Sequence, residues 1–315
     1  MRGLQVVTAL VGAFLLYRVL RQHDPREIAA AIRQIPPTNI LLAVAFTAGS
    51  YVCLAVIEYM GLVYASRRRV PASRVMLVTI AGLGIGHSVG LSALSSGAVR
   101  YRMYTRNGLN AEAVAKILIF SGLTVVVGLI AVFCLVIAVH GHAVASYLGM
   151  SPRKLADLIV GLVTALALYL ALCGSRSRHV RQGVRIGRIR FCMPSLALAV
   201  GQIAFGATNY ACIAGILHVC LTPTTPSDYS LVVTLIVLAD AAAIIGHVPG
   251  GWGVLEYVVA SFLSGPGVIA ALIVFRAIYY LAPLALGVVI LIHDELSAPR
   301  VAAPQPQDGR LMQGG

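Results

Sequence analysis

Two short matching motifs place charged residues beside long apolar segments of the sequence. Residues 85–90 read Ile-Gly-His-Ser-Val-Gly, and residues 245–250 read Ile-Gly-His-Val-Pro-Gly. Each motif is followed by a glycine, two small or apolar residues, a charge and a tyrosine. The charge is Arg100 in the first copy and Glu256 in the second. An ionisable group at the centre of a membrane helix costs ~2.5–3.5 kcal/mol, so a chain that keeps several usually needs them.

The first motif has the residues of an anion site. Serine favours the start of a helix, so Ser96 and Gly97 predict a helix that begins just before Arg100. Its free N–H groups and positive dipole end would face the guanidinium, an arrangement that suits phosphate. The alternative is that Arg100 snorkels to the membrane interface together with Arg102 and Arg106.

The second motif predicts an irregular turn followed by a new helix. A regular helix interior is excluded by Pro249, Gly250, Gly251 and Gly253, so Glu256 would lie in the first turn of the next helix. Capping of the helix dipole is one interpretation of this carboxylate.

The opposite charges at the matching positions leave two arrangements open for a substrate site. Arg100 and Glu256 would either form a pair across a pseudo-axis or provide an anion site beside a cation site. Both arrangements favour a head group that carries charge.

Six further ionisable residues within the apolar segments are candidates for substrate binding: Glu58, His87, Lys116, Asp240, His247 and Arg276. Arg276 would neutralise Asp240 or Glu256. The two histidines would hydrogen-bond freed backbone carbonyls or relay a proton. Glu58 and Lys116 would each form a buried pair or contact a substrate.

No enzyme, metal or cofactor chemistry is predicted. Two histidines without a third ligand do not indicate a metal site, and the six cysteines are scattered without a CxxC pair. The sequence also has no constellation of a nucleophile and a base.

Composition restricts the class of protein that can position these residues. Hydrophobic residues make up 59% of the chain and charged residues 11%, whereas soluble domains are about a quarter charged. Long runs that are apolar all round predict membrane-spanning helices. The net charge of +13 is concentrated in short arginine-rich loops, which is typical of the positive-inside rule and argues against a nucleic-acid partner.

The loop charges predict an unusual topology. Long apolar segments lie near 4–20, 39–65, 75–97, 113–140, 157–173, 194–218, 229–248 and 268–292. The arginine-rich loops on both sides of 75–97 can both be cytoplasmic only if that segment enters the membrane and returns on the same side. An odd number of crossings then separates the motifs and inverts the second, a pattern typical of transporters. We therefore expect an all-α polytopic membrane protein with about six to eight transmembrane helices and two inverted-repeat re-entrant hairpins.

The organisation expected along the chain is one membrane domain at 1–295, with repeat motifs near 85–104 and 245–257, followed by a disordered tail at 296–315. Residues 24–34 are expected to form an amphipathic helix on the membrane surface. The N-terminus is expected to be cytoplasmic.

At these motifs the chain resembles a known family. The segment from His247 to Glu256 is similar to its H-V-P-G-G-x-G-x-x-E signature. The segment from Leu94 to Leu109 is similar to its L-S-G-G-A-[IV]-R-Y-R-x-Y…G-L signature, with serine in place of one glycine. The family is the lysylphosphatidylglycerol synthase transmembrane-domain family.

The resemblance implies a function in moving lipids and a location in a bacterial inner membrane. In the full-length bacterial member, the membrane half is implicated in flipping an aminoacylated phospholipid. The resemblance also carries the family's motif arginine and glutamate onto Arg100 and Glu256. No synthase domain is expected in this chain, so a lipid translocase is expected, with phospholipid as its partner. The alternative is a membrane subunit or docking partner for a separate synthase, and the oligomeric state is not predicted.

Overall fold

The computed structural model of the protein describes residues 25–66, 68–89, 92–175, 183–186, 189–246, 248 and 251–297. The helices in these segments are α1 (Pro25–Arg33), α2 (Pro37–Ala65), α3 (Ala72–Val89), α4 (Ser92–Thr105), α5 (Ala111–Leu148), α6 (Pro152–Gly174), α7 (Leu196–Leu221), α8 (Tyr229–Ile245), α9 (Val254–Phe262), α10 (Pro266–Arg276) and α11 (Ala282–Leu296). A π-helical segment, Ala277–Leu281, joins α10 to α11 without a break.

Five helices in the described part of the chain are long and apolar enough to cross a membrane. They are α2, α5, α6, α7 and the continuous α10–α11. Two shorter apolar helices, α3 and α8, accompany them. The prediction of an all-α polytopic membrane protein is confirmed. The expected first segment near 4–20 and the expected tail lie outside the described residues, apart from residues 296–297.

A small β-hairpin was not predicted. Strands β1 (Val184–Ile186) and β2 (Ile189–Phe191) pair antiparallel in the arginine-rich connection between α6 and α7. A helix is present in the expected region 24–34 as α1, and it packs against α10 through Ile28 and Ile269. Its position on a membrane surface stays a prediction.

The core forms where helix backbones approach closely. At the crossing of α5 and α7, a Cβ atom on Gly128 would lie 2.6 Å from the Gly206 Cα atom, so only glycine fits. Helix α2 packs antiparallel to α7 in the same core. Helix α6 is almost entirely on the outside of the bundle. Small residues at helix crossings are the usual means of close packing in membranes.

Hydrogen bonds and ion pairs define two ends of the bundle. At the end that we call the basic end, Arg74 at the start of α3 binds Asn107 just after α4 and Asp294 near the end of α11. At the end that we call the opposite end, the side-chain amide of Asn39 donates to the carbonyl of Val219, 2.7 Å away. The start of α2 and the end of α7 therefore lie together there.

Helices α3 and α4 form an antiparallel hairpin. The start of α3 and the end of α4, which we call the feet of this hairpin, both lie at the basic end. The Arg74 Nε and Asn107 Oδ1 atoms, 3.3 Å apart, hold the first turn of α3 beside the residue that follows α4. Arg106 adds contacts to Asp294 and Glu295. The apolar segment 75–97, which the loop charges predicted to turn back on itself, is therefore divided between two helices, α3 and α4.

Helices α8 and α9 form the second hairpin, and its feet lie at the opposite end. Tyr147, at the end of α5, approaches Asp228 just before α8. Helix α9 ends at Phe262, and α10 begins at Pro266, where a Cβ on Gly267 would meet Thr224 of the α7–α8 connection. Within the apolar segment expected at 229–248, the helix α8 ends at Ile245.

Candidate functional site

The first hairpin carries a buried ion pair with α2. Arg100 on α4 donates from Nε to Glu58 Oε1 at 2.9 Å and from Nη2 to Glu58 Oε2 at 2.9 Å. Tyr104, one turn further along α4, donates a 3.2 Å hydrogen bond to the same carboxylate. The Arg100 side chain also packs against α3 at Gly82. Three helices thus position one guanidinium.

The second hairpin carries an equivalent pair with α10. Arg276 donates from Nε to Glu256 Oε1 at 2.7 Å and from Nη2 to the carbonyl of Gly251 at 3.1 Å. Glu256 also accepts the backbone N–H of Gly253 at 2.9 Å, so this carboxylate satisfies a free backbone donor at the start of α9. Gly253 and Gly251 have φ values of +78° and +61°, which glycine adopts without strain.

Aromatic rings enclose the Arg276 guanidinium. Its Cζ atom lies 4.8 Å from the centre of the Trp252 ring and 4.4 Å from that of Tyr280. Tyr280 belongs to the π-helical segment, which shifts the helix register directly after Arg276. Such segments occur frequently at functional sites. Cation–π contacts of this kind stabilise a desolvated guanidinium by about 2 kcal/mol.

His87 and Tyr280 connect the two ion pairs. The His87 ring, near the end of α3, has its centroid 6.0 Å from that of Tyr280. Arg100 and Arg276 are both close enough to His87 for electrostatic interaction. The candidate site therefore extends across the bundle from Glu58 through His87 and Tyr280 to Glu256.

The four charged side chains are buried inside an apolar bundle. Glu58 is 1% exposed, Arg100 2%, Glu256 5% and Arg276 6%. Desolvation of such a pair can exceed its Coulomb attraction, so buried pairs are weak evidence of stability for its own sake. An anionic ligand group could exchange with either carboxylate on its arginine, since both present the same fork of oxygens. A cationic group could pair with the displaced carboxylate.

Other polar residues extend the site. Tyr210 on α7 and the half-buried Asp240 on α8 lie close enough to interact electrostatically. Ser50 on α2 donates to Asn209 Oδ1 at 2.6 Å and lies 3.2 Å from the Tyr279 hydroxyl. Ser50, Asn209 and Tyr279 therefore form a connected group of buried polar side chains.

Several sequence predictions about these charges are wrong. Arg100 and Glu256 do not pair with each other, because each has its own partner. Helix α4 begins at Ser92, so Ser96 and Gly97 lie inside it and the free N–H groups of its first turn are remote from Arg100. The predicted helix start beside Arg100 is therefore incorrect, and with it the anion site at a helix terminus.

Other predictions are confirmed at the level of contacts. Arg276 neutralises Glu256, Glu58 forms a buried pair, and Glu256 does lie in the first turn of its helix. Lys116 instead forms a partly exposed pair with Glu112, at 2.7 Å along α5. A role for any of these residues in binding a substrate stays a prediction.

Three of the predicted site residues, His247, Pro249 and Gly250, lie outside the described residues. Ser96 is buried on α4, one turn before Arg100, and a Cβ on Gly97 would lie 3.1 Å from Leu118. Both residues therefore pack inside the bundle close to the first ion pair.

Sequence reasoning missed the aromatic and hydroxyl partners: Tyr104, Tyr210, Trp252, Tyr279 and Tyr280. Trp252 is the only tryptophan of the chain and lies within the second motif, a signal that could have found it. The tyrosines lie on helices far apart in sequence, so spacing gave no indication of them. Among the described residues, no group of three His, Cys, Asp or Glu side chains could hold a metal ion.

Comparison with known proteins gives the same motifs a family context. The chain is 27% identical over 291 residues to the uncharacterised protein slr0712 of Synechocystis sp., covering 89% of each chain. It is 26% identical over 296 residues to the inner membrane protein YbhN of Escherichia coli, covering 92% of this chain and 90% of that protein. The family model described as the lysylphosphatidylglycerol synthase TM region matches residues 5–287. By this match, which includes both motifs and both ion pairs, the chain belongs to the lysylphosphatidylglycerol synthase transmembrane-region family.

Proposed function

We propose that this protein is a phospholipid translocase that moves anionic or aminoacylated head groups across the membrane. The observation that carries the proposal is the pair of buried Arg–Glu contacts at two hairpins whose feet lie at opposite ends of the bundle. The family of this multi-pass membrane protein connects it with lipids, and the charged site at its centre supports a charged head group as cargo.

We infer further that both hairpins are re-entrant. Helix α4 has 14 residues and α9 has 9, lengths of about 21 Å and about 14 Å at 1.5 Å per residue. Neither length crosses a hydrocarbon core of ~30 Å. Broken helices that enter from opposite sides and meet near the midplane are the usual site of substrate binding in secondary transporters.

The chemistry of the head group matches the two pairs. Lysylphosphatidylglycerol, the lipid in the family's name, carries a phosphate diester and two ammonium groups. The phosphate would take the place of a carboxylate on Arg100 or Arg276, and one ammonium would bind the carboxylate that is released. For a head group that carries both a phosphate and an N–H-donating ammonium, the exchange leaves neither the arginine nor the displaced carboxylate unpaired, so binding and release isolate no buried charge of the protein.

Reconstituted liposomes test this proposal. Fluorescent phospholipids with glycerol, aminoacyl-glycerol and choline head groups are followed while a membrane-impermeant reductant bleaches the outer leaflet. We expect faster loss of protected label with the protein than in protein-free liposomes, and faster loss for glycerol and aminoacyl-glycerol than for choline head groups. Equal rates with and without protein for all three lipids would exclude translocation as the function.

The matched control is a variant in which the central charges are replaced by apolar residues. Glu58→Leu/Arg100→Met removes one pair without leaving an unpaired charge. If the proposal is correct, this folded variant loses most of the transport rate. A rate equal to that of the unmodified protein would show that the first pair is not part of the route.

A further inference from the structure

A groove on the outer surface of the bundle is lined by none of the four paired charges of the central site. It has a volume of about 340 Å³ and is formed by one face of α2 and by the connection from α2 to α3. Its lining is Tyr59, Leu62, Val63, Ser66, Arg68, Arg69 and Val70. The volume is in the range of pockets that hold small ligands.

The two walls of the groove differ in chemistry. Tyr59 and Val63 on α2 are 46% and 55% exposed. Because α2 is a membrane-spanning candidate, these side chains would face lipid hydrocarbon. Arg68 and Arg69 at the basic end are also exposed. The groove therefore combines an apolar wall with a cationic mouth.

The two arginines at the mouth differ in their surroundings from the other arginines of the basic end. Neither Arg68 nor Arg69 has a carboxylate within 4.0 Å in the part of the chain that the structure describes, whereas Arg74, Arg102 and Arg106 are each paired with Asp294 or Glu295. The Arg68 guanidinium packs over Gly108, where a Cβ would lie 2.9 Å from Nη1. The glycine thus leaves room for this guanidinium to fold against the turn between α4 and α5.

We propose that this groove binds an anionic phospholipid from the leaflet at the basic end. Its phosphate would lie between Arg68 and Arg69, and an acyl chain would follow Tyr59 and Val63. A free phosphate would not use the apolar wall, and a zwitterionic lipid would bring a third cation to a site that already has two. The recognition is therefore for a negatively charged head group joined to a hydrocarbon chain.

The groove also lies next to the central site. Leu62 lines the groove and is 2% exposed. Glu58 lies one turn earlier on the same face of α2, since residues four apart are neighbours on a helix. As a loading position for transport the groove depends on the proposed function, but as a lipid site it depends on its own geometry alone.

Site-specific photocrosslinking tests the inference. A benzophenone amino acid replaces Val63, and a second variant carries it at Val160, which is similarly exposed on α6. Each full-length protein is placed in phosphatidylcholine nanodiscs with increasing fractions of phosphatidylglycerol. We expect phosphatidylglycerol to be enriched in the adduct over its fraction in the nanodisc at position 63 and not at position 160. Equal enrichment at the two positions would overturn the proposal.

Charge variants identify the residues that recognise the lipid. In Arg68→Ala/Arg69→Ala, the half-saturating fraction of phosphatidylglycerol should rise roughly thirtyfold, the effect of removing two basic residues near a membrane surface. Arg33→Ala/Arg153→Ala removes two exposed arginines elsewhere in the chain and should leave crosslinking at position 63 unchanged. An equal shift in both variants would mean that only the net charge matters and would overturn the site.

Two more outcomes distinguish a lipid site in the groove from a phosphate site and from the transport route. Soluble glycerol phosphate should not displace the lipid. Complete displacement would show that the groove recognises only the phosphate and would overturn the lipid site. Crosslinking requires no transport. Enrichment at position 63 with no activity in liposomes would therefore refute the proposed function but not the lipid site in the groove. Transport without enrichment would refute the groove alone.

Discussion

Breaking the Glu58–Arg100 pair should separate stability from function. In Glu58→Leu, the Arg100 guanidinium loses all three of its contacts with the carboxylate and stays buried, at 2% exposure. We expect this single change to lower the free energy of unfolding by about 3–5 kcal/mol, the usual cost of an uncompensated buried charge. The added change Arg100→Met should recover most of that loss, because no isolated charge then remains.

The small residual loss has an identified cause. The Tyr104 hydroxyl loses its carboxylate acceptor in both variants, which costs about 1 kcal/mol. Equilibrium unfolding in mixed micelles with increasing sodium dodecyl sulfate measures all three proteins. If the double variant is as unstable as Glu58→Leu, the destabilisation does not come from an isolated buried charge, and the reasoning is refuted. The double variant should remain inactive in liposomes although its stability is restored.

The remaining predictions concern three contacts elsewhere in the bundle. Arg276→Lys should reduce transport more than tenfold with a stability loss of about 1–2 kcal/mol, because lysine keeps the charge but loses the bidentate and stacked geometry; unchanged transport would argue against this arginine as a head-group contact. Gly84→Ala should destabilise the protein by about 1–3 kcal/mol in the same unfolding assay, because its Cβ would overlap the α11 backbone. Gly122→Ala is its control, since its Cβ would have no atom within 4 Å among the described residues, and an equal loss in both would contradict the packing argument. Asp294→Asn should increase hydrogen exchange in the first turn of α3 by releasing Arg74, and unchanged exchange would mean that this pair does not hold the hairpin.

Features that depend on a local residue pattern could be predicted from the sequence. The length and uniform hydrophobicity of the segments predicted membrane helices, and the arginine-rich loops indicated that 75–97 makes no net crossing. The hairpin of α3 and α4, with both feet at the basic end, is consistent with that inference, although its position in a membrane stays a prediction. Glycine and proline in the second motif predicted the break before α9, and Glu256 was correctly placed in its first turn.

The partners of the charges could not be predicted in the same way. Glu58 and Arg100 are 42 residues apart in the chain, and only the packing of α2 against the first hairpin brings them together. Matching positions in the repeat suggested a pair between Arg100 and Glu256, but the two hairpins enter from opposite ends and each meets a different helix first. The serines before Arg100 suggested a helix start, yet α4 begins at Ser92, because a serine inside a helix is tolerated when packing favours the longer helix.

The central claim is that one charged site between two oppositely inserted hairpins is reached from each face of the membrane in turn. Its most direct measurement uses Ser96→Cys in a variant without the six native cysteines, because this buried position lies one turn from Arg100. A membrane-impermeant thiol reagent is added to one face of sealed vesicles at a time, with Arg153→Cys as a position expected to react from one face only. We predict that position 96 reacts from either face, and faster when translocated lipid is present. Reaction from a single face under all conditions would contradict the claim.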